Sequence, residues 1–176
     1  MTSPAFPDPR AFAFVPRLER AADELRAERQ RVGDAPFEPS PDSLTTRRGR
    51  YDEAGWLYVP LWGEGSSERL RAEFPLAAAA SERVPALVNA GLSLFRPGTH
   101  LFPHAGELEG VLRCHLALEV PEGDVGLRVA GEVRRWREGR CLLFDDGIEH
   151  EAWNHTERDR VVLLVTFRPG ATETEV

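Results

Sequence analysis

The sequence predicts a mainly β domain of sandwich or jelly-roll type, with helices flanking it on the N-terminal side. Two observations carry this reading. From Leu92 onward the chain breaks into short β-branched and apolar runs, "LSLF", "GVLRCHLALEV", "GLRVAGEVRRW", "CLLF" and "RVVLLVTF", each of strand length. Between and before them stand turn formers, "RPGT", "PEGD", "AGE", "REGR" and "DDG", spaced closely enough to fold the strands into a sandwich or a barrel-like jelly roll.

Along the chain, Leu18, Ala21, Ala22, Leu25 and Val32 recur at three- and four-residue spacing among arginines and glutamates, which predicts an amphipathic packing helix over Pro16 to Val32. "GDAPFEPSPDS" is rich in proline and turn formers and reads as a surface connection. "WLYVPLW", residues 56 to 62, reads as a strand, confined by Pro60 to an edge or end of a sheet. Ser67 is placed to cap a helix from Glu68 to Leu76, and a second helical piece is expected from Ser81 with Pro85 in its first turns.

The chain has 176 residues, 41% hydrophobic and 29% charged, which suits one domain with a sizeable core. Twenty-nine acidic against 22 basic residues give a formal charge of -7, which argues against a nucleic-acid surface and for a small-molecule or peptide substrate. No apolar run approaches the roughly 20 residues of a membrane span, and "MTSPAFPDPRAFAF" lacks the order of a signal peptide. A cytoplasmic location is the expectation. Cys114 and Cys141 have no zinc-type spacing and read as small buried apolar residues.

Alternation along the strand "GVLRCHLALEV" puts Val111, Arg113, His115, Ala117 and Glu119 on one face, and Leu112, Cys114, Leu116, Leu118 and Val120 on the other, which is core. An unpaired guanidinium in a half-buried place is costly, so Arg113 calls for an anion. "RVVLLVTF" repeats the pattern, with Arg160 on the face of Val162, Leu164 and Thr166. Two arginines and a histidine facing one cavity suit a dicarboxylate; internal ion pairs to Asp145, Asp146 or Glu119 are the competing reading. His104 and His150 sit where turns meet strands and could ligate a metal, although two histidines alone are a weak signal. His100 and His155 read as solvent-facing, and Trp136 and Trp153 as core or cavity wall.

"HAG", then "RCH" seven residues beyond the glycine, then "W..G....FDDGIEHEAWN", then Arg160 ten residues after His150 together resemble the aspartyl/asparaginyl β-hydroxylase family of Fe(II)- and 2-oxoglutarate-dependent dioxygenases. The resemblance covers roughly Leu92 to Pro169. It implies a double-stranded β-helix (jelly roll, cupin-like) within a single domain over 1–176, with residues 1–90 a helical and strand extension and 91–170 the core that holds iron and 2-oxoglutarate. It further implies that His104 and His150 hold Fe(II), that Ser93, Arg113, His115 and Arg160 bind the 2-oxoglutarate cosubstrate, and that dioxygen is used to hydroxylate an unactivated carbon. That carbon would be the β-carbon of an Asp/Asn-type amino acid or peptide residue if the resemblance extends to the substrate.

Asp145, Asp146 and Trp153 are expected around the metal, the aspartates fixing the loop of His150 or orienting its imidazole, and Trp153, Phe102 and Phe144 forming apolar wall. The wider superfamily places a carboxylate at the position of Gly106, so Gly106 leaves an open place, and an iron halogenase is an alternative, as is a cupin-like binding protein without turnover. Family members acting on aspartyl residues have basic residues at the positions of Val111 and Gly91. Their absence here weakens an aspartyl substrate unless Arg48, Arg50 or Arg96 substitutes.

Overall fold

A computed structural model describes residues 4–40 and 55–170. Arg48 and Arg50 lie outside the described residues. Helix α1, Val15–Val32, starts with Pro16 in its first turn and stops at Gly33, whose φ of 76° lets its N–H reach Arg29 O at 3.0 Å. Its apolar stripe, Leu18, Ala22 and Leu25, is buried against the strand Leu112–Glu119.

Helix α2, Glu68–Glu73, begins as expected, with Ser67 Oγ accepting from Leu70 N at 3.2 Å. It ends earlier than expected, and the next helix, α3, runs Pro75–Glu82 rather than beginning at Ser81. Two features set this boundary. Pro75 occupies the first helical turn, where its missing N–H costs nothing. The N–H groups of Leu76 and Ala77 are accepted by the Glu28 carboxylate of α1, at 2.8 and 2.9 Å, a cap from 48 residues away.

The strands are β1 (Glu38–Pro39), β2 (Trp56–Trp62), β3 (Leu87–Phe95), β4 (Thr99–His104), β5 (Leu112–Glu119), β6 (Val125–Val129), β7 (Glu132–Arg134), β8 (Cys141–Asp145), β9 (His150–Asn154) and β10 (Arg160–Phe167). They form two sheets, β1-β2-β3-β10-β5-β8 and β4-β9-β6-β7, with every pair antiparallel. This is the double-stranded β-helix the sequence predicts. Strands β1 and β2 belong to the large sheet itself, so the segment before Leu87 contributes more than a packing extension. Among the described residues no helix is long and apolar enough to cross a membrane.

Side-chain alternation divides the interior in two. Val161, Leu163, Val165 and Phe167 of β10 join Leu116, Leu118, Leu92 and the helices in one cluster outside the large sheet. Val162 and Leu164 join Ala117, Leu142, Phe144, Leu127 and Ala152 between the sheets. Each such aliphatic or aromatic side chain contributes about 1.5–3 kcal/mol on burial, so the register of β10 is fixed from both faces. A one-residue slip would turn Arg160 into the helix-packed core.

Candidate functional site

The polar residues of the interior follow from that register. Across the inner face of the large sheet, Arg160 lies beside Phe95, Val162 beside Ser93, Leu164 between Gly91 and His115, and Thr166 between Asn89 and Arg113. Arg160 is 1% exposed, and its Nε and Nη1 have no hydrogen-bond partner among the described residues. Its guanidinium lies 3.7 Å from the Phe95 ring centroid and 4.7 Å from that of Trp136, so two aromatic rings pack against it while its Nε–H and Nη1–H groups stay without an acceptor among the described residues. Burial alone pushes its pKa down to about 9, which still leaves it charged at neutral pH.

His115 is buried beside it. The Trp136 indole N–H donates to His115 Nδ1 at 3.2 Å, which fixes the proton of the neutral ring on Nε2, and that atom has no partner among the described residues. Burial, then Arg160 and Arg113, hold its pKa well below the ordinary histidine value, so it is a neutral donor. Ser93 Oγ accepts from Trp56 Nε1 at 3.1 Å. Arg113 Nε is 2.9 Å from Asp146 Oδ1, an ion pair with a carboxylate only 1% exposed and one of the internal pairings the sequence left open.

His104 ends β4 and His150 begins β9, paired across the small sheet with ring centroids 4.4 Å apart. Each donates its Nδ1–H to a backbone carbonyl two residues earlier, His104 to Phe102 O at 2.5 Å and His150 to Ile148 O at 2.7 Å. In a neutral ring such a bond puts the lone pair on Nε2, the arrangement that orients imidazoles for a metal. Burial lowers the His150 pKa to about 4, with His104 and Arg113 adding to it against the Ile148 bond, so the ring is neutral near pH 7.

Among the described residues no group of three or more His, Cys, Asp or Glu converges on one point. The place beside Gly106 is nevertheless not open: a Cβ built there would lie 1.8 Å from Asp146 Oδ2. The Asp146 carboxylate fills it, 3.7 Å from His150 Nε2 through its other oxygen.

The structure brings His104, His150, Arg113, His115, Ser93, Arg160 and Asp146 to the space between the sheets. Asp145 caps the β8–β9 turn, its Oδ1 accepting from Gly147 N at 2.9 Å. Phe144 is wall, 5.1 Å from the His115 ring and 5.0 Å from His150. Trp153 is not part of the site. His150, Ala152 and Asn154 alternate inward, which puts Trp153 on the outer face, where its indole N–H donates to Asp124 at 2.7 Å. Phe102 lies against His100 on that same face, and His100 is buried rather than solvent-facing. Arg96 is taken by Asp34 and Asp159, each at 2.7 Å.

Sequence reasoning missed a cleft of about 530 Å³ that runs from Arg113 and Leu164 past Asn89 to Tyr58, Pro60 and Trp62. Tyr58 lies over Gly91, where a Cβ would come within 2.5 Å of its hydroxyl, and Val111 is buried. Neither position offers a cation. Strand alternation from Trp56 would have pointed Tyr58 inward.

A model for a family described as aspartyl/asparaginyl β-hydroxylase matches residues 19–169. The chain is 38% identical over 170 residues to the ornithine lipid ester-linked acyl 2-hydroxylase of Rhizobium tropici, covering 94% of this chain and 60% of that protein. It is 31% identical over 161 residues to the aspartyl/asparaginyl β-hydroxylase of Mus musculus, covering 86% of this chain and 21% of that protein. The chain thus spans less than two thirds of either relative. Among solved structures, a Pseudomonas putida prolyl-4-hydroxylase superposes with a TM-score of 0.57 over 90% of each chain at 18% identity, a likeness of fold.

Proposed function

Because the chain belongs to the aspartyl/asparaginyl β-hydroxylase family, we propose that it is a hydroxylase that uses Fe(II), 2-oxoglutarate and dioxygen. The observation that carries the reading is the buried guanidinium of Arg160, its Nε and Nη1 without a hydrogen-bond partner among the described residues, in the same interior as two imidazoles whose Nδ1 atoms are turned to backbone carbonyls. A charge left so costs about 1–3 kcal/mol or more, and a carboxylate would offset it.

The residues fit the cofactors. His104 and His150 would hold the metal through Nε2, Arg160 with the Ser93 hydroxyl would pair with one carboxylate of 2-oxoglutarate, and the His115 Nε2–H would donate to the ligand as well. Bound together, iron and 2-oxoglutarate supply the oxidising power that puts a hydroxyl group on an unactivated carbon. The protein orients and encloses: Trp136 and Phe95 exclude water from the guanidinium, and the Arg113 to Asp146 ion pair holds a carboxylate beside His150 without crowding it.

The cleft supports a substrate with both apolar and polar parts, since Trp56, Tyr58, Pro60 and Trp62 line it together with Glu38, Glu64, Arg69, Asn89 and Arg113. Gly91 and Val111 offer no cation, Arg96 is paired elsewhere, and Trp56, Tyr58, Pro60 and Trp62 line the approach. An acyl chain, which the Rhizobium relative is named for modifying, fits this better than an aspartyl side chain.

Anaerobic titration of metal-free protein with Fe(II) and 2-oxoglutarate tests the cofactor reading. The weak visible charge-transfer band of the chelate is expected in wild type and lost in His150→Ala; no band in iron-loaded wild type rejects it. Succinate release with an ester-linked acyl lipid against an aspartyl peptide then separates the two substrate classes.

A further inference from the structure

The outer face of the small sheet carries a second set of titratable side chains that the proposed chemistry does not use. His100 Nδ1, on β4, is 3.0 Å from His155 Nε2, in the β9–β10 turn. Each ring meets a carboxylate at its other nitrogen: His100 Nε2 is 3.0 Å from Glu151 Oε2, and His155 Nδ1 is 2.8 Å from Asp124 Oδ2. Both ends are anchored, Glu151 by an ion pair to Arg128 of β6 and Asp124 by the Trp153 indole N–H.

Counting protons decides what this series of contacts contains. An ionised carboxylate only accepts, so His100 Nε2 and His155 Nδ1 must both carry hydrogen. If both rings were neutral, the two facing nitrogens would present lone pairs to each other across 3.0 Å and repel. A third N–H closes the series, and an imidazolium supplies it. His100 is poorly placed to be that imidazolium, because burial first, then His155 and Arg128, lower its pKa against the opposing pull of Asp124. His155 is more exposed, at 31% against 10%, and lies directly on Asp124. The bond from His155 lowers the Asp124 pKa in turn, with a smaller contribution from Arg135.

We propose that His155 is an imidazolium donating from both ring nitrogens, so that Asp124, His155, His100, Glu151 and Arg128 form a proton-dependent clasp across the outer face of the small sheet. The charges balance: Asp124, Glu151 and Arg128 sum to one negative charge, which one added proton cancels. The clasp ties the turn before β6 and the turn after β9 to β4, which tertiary contact alone brings together. Losing the His155 proton leaves two opposed lone pairs and opens the His100 to His155 contact. The clasp is therefore closed when His155 carries its second proton and open when it does not.

Two measurements test this on the intact protein. In long-range ¹H–¹⁵N spectra at pH about 5.5, roughly one unit below the ordinary imidazole value, three of the four ring nitrogens should be protonated, both of His155 and Nε2 of His100. Two protonated nitrogens with the rings still in contact would overturn the clasp. In thermal unfolding with EDTA present, His155→Gln should melt about 2–4 °C below wild type at that pH, and the gap should close at pH about 8.5. A gap independent of pH, or one that EDTA abolishes because a metal bridges the rings, would equally overturn it.

Discussion

Two histidine pairs stand on opposite faces of the same two strands and their flanking turn, and they have opposite surroundings. The inner pair, His104 and His150, gives its Nδ1 protons to backbone carbonyls two residues earlier, which in the neutral ring leaves the lone pair on Nε2. The outer pair, His100 and His155, is held between Glu151 and Asp124, so its outward nitrogens are donors and its facing nitrogens compete for one proton. Backbone carbonyls prepare an imidazole for a cation, whereas flanking carboxylates prepare it for a proton. The residue type is the same, and its partners decide the chemistry.

Deleting one member of each pair is the strongest way to break this contrast. His104→Ala should weaken the Fe(II) and 2-oxoglutarate chelate by roughly 100-fold or more, while His155→Gln should leave it within about 2-fold, both read by anaerobic absorbance titration. Equal losses would mean that both pairs serve the same site. Arg160→Met sharpens the inner side: 2-oxoglutarate affinity should fall roughly 100-fold, about 3 kcal/mol, yet the ligand-free protein should melt at a higher temperature, because an unpartnered buried charge has been removed. A lower melting temperature would show that Arg160 has a structural partner.

Smaller effects separate the pairs by pH. His150 titrates near 4 in the folded protein against about 6.5 unfolded, so the unfolded chain takes up the proton first. Its neutral burial stabilises metal-free protein above pH about 6.5, and that stability is lost as pH falls toward 4, by about 2–4 kcal/mol. This is opposite in sign to the outer clasp, and chemical denaturation of wild type and His155→Gln across pH would resolve the two. Gly106→Ala should cost about 1–3 kcal/mol by displacing the Asp146 carboxylate, measured as a shift in the urea midpoint. Trp136→Phe, which removes the donor to His115 Nδ1, should weaken 2-oxoglutarate binding by about 1 kcal/mol, roughly 5-fold.

Much of the fold was legible because period and composition are local. The alternation in "RVVLLVTF" placed Arg160 on the face of Val162 and Leu164, and the strand is buried on both faces over the same eight residues. The α2 to α3 boundary was not legible, since it depends on Glu28 reaching the N-terminus of α3 from another helix. His100 could not be separated from a surface histidine either, because Glu151 and His155 meet it only after β4 pairs with β9.

The sequence by itself determined strands β2, β3, β5, β6, β8 and β10, the faces on which Arg113, His115 and Arg160 project, and the resemblance that names His104, His150 and Arg160, since these depend on spacing along one strand and on motif. Only the tertiary structure decided which charges are paired. Arg113 finds Asp146 and Arg160 finds aromatic rings. The space beside Gly106 is filled and that beside Gly91 is covered. Hydrogen bonds and ion pairs act over about 3 Å, and only the packing of the two sheets brings residues so far apart in the chain within that reach.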